Sequence, residues 1–185
     1  MNLGRRNGGL RCLSKNGGIK MKHRLKKSEL GGAVFVMVFG TLLHFFYEWS
    51  GNNPIVALFA PYNESTWEHL KLLFFPVLFY SLFQYRYIGK QYFGYITGRL
   101  AGVLCGALLI VLVFYGYMAI FGHSILWIDI SLFYASVVLC YGIAYIITLW
   151  DRIPRWAELL SGVALAGIVL LFFVRTIQSQ IFLLH

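Results

Sequence analysis

Five stretches of the chain are apolar almost without interruption, and polar residues gather between them. They cover about residues 30–49, 67–87, 95–121, 125–150 and 156–177. Each is near the roughly 20 residues that a helix needs to cross the hydrocarbon core of a bilayer. The period-two alternation of a β-barrel is absent, so the spans are read as helices, which satisfy their own backbone groups in lipid. The pattern therefore predicts an all-α, polytopic transmembrane bundle of about five spans. Residues 1–28 precede it as a basic tail, Gly- and Asn-rich at first and without periodicity, which is expected to be disordered. Residues 29–185 are expected to form the transmembrane domain.

Charge placement then sets an orientation. Nine of the sixteen Lys and Arg residues lie between Arg5 and Lys27, before the first apolar stretch. The connection 50–66 contains no Lys or Arg, the next carries Arg86 and Lys90 with Arg99 just beyond, residues 122–124 again have none, and 151–155 carries Arg152 and Arg155. This alternation follows the positive-inside rule and predicts a cytoplasmic N-terminus. The tail is expected to meet anionic lipid rather than nucleic acid. Composition agrees: 59% of the 185 residues are hydrophobic and 12% charged. A soluble domain has about a quarter charged residues.

Other features narrow the chemistry. The first apolar stretch starts too late, and is too long, for a cleavable signal, and Arg5-Arg6 is too far from it to act as a twin-arginine signal. Met21 offers a second start. Cys12, Cys105 and Cys140 show no C-x-x-C spacing, which leaves the two within apolar stretches as small fillers. Pro76 lies midway along the second span, where it frees the carbonyl of Leu72 and predicts a kink. Gly94, Gly98, Gly102 and Gly106 repeat every four residues and so share a helix face that admits another backbone. Two readings stay open for that face: packing within the monomer, and the seam of a homodimer. Ser161, Gly162, Ala166 and Gly167 form a weaker small face on the last span.

The candidate chemistry lies at the other end of the spans from the basic loops. Ionisable groups at membrane depth default to functional hypotheses. His44 and Glu48 are four apart near the end of the first span. Asn63, Glu64, Glu68, His69 and Lys71 surround the opening of the second, and His123 and Asp129 follow the third. Ser65-x-x-Glu68 also matches a capping box, and Lys71 has Glu68 or Glu64 as a partner. Asn63-Glu64-Ser65 fits a glycosylation sequon. The sharper reading brings His44, Glu48, Glu68 and His69 together as ligands of a divalent metal such as Zn²⁺, with Glu64 beside them. Metalloprotease, nucleophile-elbow, P-loop and dinucleotide motifs are absent, and no inverted repeat points to a single-chain transporter.

Residues Gly40 to Val56, with Leu43-His44-Phe45-Phe46-Tyr47-Glu48-Trp49-Ser50-Gly51-Asn52-Asn53-Pro54-Ile55-Val56 at their centre, and Asn63-Glu64-Ser65-Thr66-Trp67-Glu68-His69-Leu70-Lys71 resemble an uncharacterised family of small bacterial integral membrane proteins, of the kind frequent in Firmicutes. Gly122-His123 to Ile130 adds to the resemblance, which spans about residues 30 to 150. It implies a multi-pass protein of the bacterial plasma membrane, and no activity. Members of that family carry an aromatic, Pro-containing segment after the last span, whereas this chain ends on Gln178-Ser179-Gln180-Ile181-Phe182-Leu183-Leu184-His185; this difference points to a truncated or shifted reading frame. The leading expectation is a non-enzymatic or unassigned membrane protein with an outward polar site for a small solute or ion. The alternatives are a metal-dependent membrane enzyme built on the His/Glu cluster and a structural or accessory subunit.

Overall fold

The computed structural model describes residues 15–150 and 152–183, and these form an antiparallel bundle of five α-helices with no strand among them. The helices are α1 (Lys15–Trp49), α2 (Thr66–Tyr87), α3 (Tyr95–Phe121), α4 (Leu126–Thr148) and α5 (Arg155–Leu183). Short 3₁₀ turns at Val56–Leu58 and Gly89–Gln91 lie in the first two connections. The connections α2–α3 and α4–α5 share one end of the bundle with the start of α1, which we call the basic end. The connections α1–α2 and α3–α4 lie at the opposite end.

Each apolar stretch becomes a helix, with two differences from the sequence reading. The first is the extent of α1. The expected disordered tail runs to residue 28, but the helix covers residues 15–28 as well. Residues 1–14, with Cys12 and the Arg5-Arg6 pair, lie outside the described residues. Met21 and Leu25 are one turn apart among the lysines, and Leu25 is fully buried in a small cluster with Tyr92 and Tyr95. That apolar face anchors the basic segment as helix.

The second difference concerns α2. Four helices are long and apolar enough to cross a membrane: α1 from residue 19, α3, α4 and α5. These helices turn large apolar side chains outward, among them Val38, Leu112, Ile146, Val163 and Leu170. A surface this apolar suits lipid and marks a membrane protein. By composition α2 does not qualify. Every residue from Lys71 to Val77 is buried in the protein, so this half of α2 is solvated by its neighbours and tolerates polar side chains there.

The most extensive pairing is α3 on α4, and the glycine repeat explains it. A Cβ on Gly94 would stand 2.6 Å from the Ile147 carbonyl oxygen, one on Gly98 2.8 Å from that of Ala144, and one on Gly106 3.0 Å from that of Ser136. A Cβ on Gly102 would meet the backbone of Cys140. The repeat therefore packs within the monomer, and α4 occupies the face that a homodimer seam would need. Gly162 and Gly167 on α5 have open space around the same position, while Ser161 donates a hydrogen bond to Thr97 at 3.1 Å. At Pro76 the chain stays helical, and the freed Leu72 carbonyl is covered by Gly40 of α1, where a Cβ would come within 2.7 Å of it.

Candidate functional site

Two buried polar assemblies and one outer cluster emerge, and the sequence foresaw only part of them. The first assembly lies at the basic end. Arg99 of α3 is 2% exposed and Glu29 of α1 is 4% exposed, and an Arg99 Nη donates to Glu29 Oε1 at 2.6 Å. Gln84 of α2 donates to the same oxygen at 3.0 Å and accepts from Arg99 through its own carbonyl oxygen. The guanidinium is sandwiched between the rings of Tyr95 and Tyr141, 5.0 and 4.8 Å from their centroids, a favourable placement for a desolvated cation. Three helices are thereby tied by one charge pair. The charge alternation along the chain places Arg99 just beyond a basic loop and singles out neither residue as a partner. The available signal was that Glu29 is the sole acid before Glu48.

The second assembly forms at the opposite end. Lys71 is fully buried, and its ammonium donates to Glu68 at 2.5 Å, to Thr176 of α5 at 2.6 Å and to the Ala57 carbonyl at 2.9 Å. All three N–H groups are used, and the Tyr62 ring lies 5.6 Å away. Lys71 thus fastens the α1–α2 loop, α2 and α5 together. Glu68 is committed to this pair. Its Oε2 is held by Lys71, and the ligand atoms that come together are those of His44, Glu64 and His69. The capping box is half formed. Ser65 Oγ accepts from the Glu68 N–H at 3.3 Å, but the Ser65 N–H donates to Asn63 Oδ1 at 3.0 Å instead of to Glu68. Ser65→Ala is expected to cost about 1 kcal/mol, with Ser65→Thr retaining most of it, as read from unfolding in detergent.

The outer cluster is made by His44, Glu64 and His69. One potential ligand atom from each lies within 4.8 Å of the others, and this is the one such group among the described residues. His69 sits in the first turn of α2, where its Nδ1 donates to the Ser65 carbonyl at 2.9 Å. That bond leaves Nε2 facing the Glu64 carboxylate at 3.4 Å. The His44 ring packs beside the His69 ring with centroids 5.4 Å apart. Its Nδ1 is buried and has no hydrogen-bond partner among the described residues.

Beneath this cluster lies a cavity of about 250 Å³ between α2, α3 and α4, lined by Glu64, His69, Ser124 and Asp129 with an apolar floor that includes Ile110 and Leu132. Asp129, in the first turn of α4, accepts a hydrogen bond from Tyr117. The remaining candidates lie elsewhere. Glu48 is exposed on the last turn of α1. His123 is exposed and donates to the Phe121 carbonyl at 2.9 Å, closing the turn after Gly122, whose φ of 73° makes it the left-handed cap of α3. Asn63 lines a separate polar cleft of about 430 Å³ with Glu68, Trp67 and Arg175.

Comparison with known proteins adds a family. DUF6512, described as a family of unknown function, matches residues 19–184. The chain belongs to the DUF6512 family. The match takes in all five helices from residue 19 onward, including both buried assemblies and the outer cluster of this DUF6512 member. No curated protein and no solved structure matches the chain.

Proposed function

We propose that this DUF6512 protein is a five-span protein of the cell membrane, with a cytoplasmic N-terminus, whose outward cavity binds a small cationic solute or ion. The observation that carries this reading is the lining of the cavity. Glu64, Asp129 and His69 stand around it, and among the described residues no Lys or Arg lines it. Carboxylates at the mouth of a cleft with low-dielectric walls concentrate cations there. Its volume suits one small ligand rather than a conduction path. The loop charges support the orientation, since Arg86, Lys90, Arg152 and Arg155 all belong to the basic end. In this arrangement α2 crosses as a fifth span whose polar first half is shielded by its neighbours.

The reading is tested with cysteine variants in intact cells. Ser124→Cys marks the cavity rim, and Leu132→Cys its floor. Both are expected to react with membrane-impermeant methanethiosulfonates added outside. At low ionic strength the trimethylammonium reagent should react with Leu132→Cys about ten-fold faster than the sulfonate reagent. Glu64→Gln with Asp129→Asn should erase that preference. Labelling of Ser124→Cys only after permeabilisation would overturn the orientation, and a floor cysteine indifferent to reagent charge would overturn the cation site.

A further inference from the structure

We infer that the cation held at the mouth of this cavity is a divalent transition-metal ion, with Zn²⁺ the best match, ligated by His44, Glu64 and His69. The inference deepens the cavity reading and rests on it. Two imidazoles and one carboxylate form a donor set that first-row metals favour over Ca²⁺ or Mg²⁺, which prefer oxygen.

The geometry supports that choice. Bond lengths near 2 Å place the ligand atoms of a tetrahedral zinc ion about 3.3 Å apart. His69 Nε2 and Glu64 Oε2 already stand at 3.4 Å. The longest separation in the trio is at most 4.8 Å, within reach of a shared ion once the side chains adjust, Glu64 first among them. This residue precedes α2 and its side chain is 85% exposed, so it is free to move. His69 is already oriented for the task. Its Nδ1–H is engaged by the Ser65 carbonyl, which presents the Nε2 lone pair outward, the outer-shell arrangement of metal-bound histidines.

A surface ion pair between Glu64 and His69 would account for two of the three residues. It leaves His44 unexplained. That imidazole lies against the His69 ring and buries an Nδ1 without a partner among the described residues, and a buried polar atom without a partner costs about 1–3 kcal/mol. A shared cation, or water bound to it, relieves that cost. Three protein ligands leave a coordination position open toward the cavity, where a solute or water can reach the metal.

The test uses the full chain, purified in detergent and stripped with a chelator. Titration with Zn²⁺ against a competing chromophoric chelator is expected to give one tight site per chain. Co²⁺ in the same site should show visible bands that Zn²⁺ abolishes. Glu64→Gln, at an exposed position that leaves the fold intact, should weaken Zn²⁺ at least ten-fold, and His69→Ala and His44→Ala at least as much. Glu48→Gln should leave the affinity unchanged. A substoichiometric uptake, or a Zn²⁺ affinity indifferent to Glu64→Gln, would overturn the metal. If charge-selective labelling of Leu132→Cys persisted in that case, the cavity reading would stand alone. If both signals failed, both readings would fall.

Discussion

Replacing Glu29 with Ala is expected to destabilise the bundle by about 3–5 kcal/mol, measured as the shift in thermal or chemical unfolding of the purified protein in detergent. The substitution leaves Arg99 buried with no counter-charge, and an uncompensated buried ion costs that much. Gln84 cannot compensate, because it offers one neutral carbonyl where the carboxylate carried a full charge. The tyrosine sandwich softens the loss and does not replace the pair. A second outcome follows from the same charge pair. Glu29→Met combined with Arg99→Met removes both charges and keeps the volume, so the double variant should recover most of the stability. If the double variant proved as unstable as the single one, shape rather than charge would be what the assembly contributes.

Gly102→Leu should be the most damaging single change on α3, at about 3 kcal/mol or more. The first atom of any side chain there already collides with the Cys140 backbone, its carbonyl carbon 3.2 Å away. Backbone cannot swing aside as a side-chain tip can, so α3 and α4 must separate along their whole contact. Gly142→Ala gives the contrast, because nothing lies within 4 Å of the added methyl. It should be neutral or raise stability by up to about 1 kcal/mol. Gel filtration with an unfolding assay separates the two roles of the repeat. Packing within the monomer predicts that Gly102→Leu loses folded protein. A dimer seam would instead yield well-folded monomers, and that result would contradict the α3–α4 packing.

The architecture was legible because lipid imposes a coarse and continuous pattern. Apolar stretches of sufficient length became helices, and the spacing of the glycines marked the closest helix contact even though it left the partner open. The polar site was legible only by region. Sharing a helix face placed Glu48 with His44, but α1 ends at Trp49, and in its last turn Tyr47 packs inward while Glu48 is exposed. Glu68 and His69 are adjacent in sequence and therefore point about 100° apart around α2. One turned to Lys71 and the other to His44. Glu64 joined the histidines through the conformation of a loop, where Asn63 accepts the Ser65 N–H, and no helical periodicity encodes that. The Glu29–Arg99 pair stayed hidden because its members are 70 residues apart and no local spacing links them.

The composition of α2 has a consequence for biosynthesis. A segment that carries Glu68, His69, Lys71, Ser81 and Gln84 gains little by entering lipid alone, since each polar group would lose water before it gained a partner. As a proposed span, α2 is therefore expected to insert together with the later helices that cover its polar side chains. The partner of Lys71 on α5 is Thr176, 105 residues further along the chain, so the ammonium acquires its full set of acceptors only after α3, α4 and most of α5 have been made.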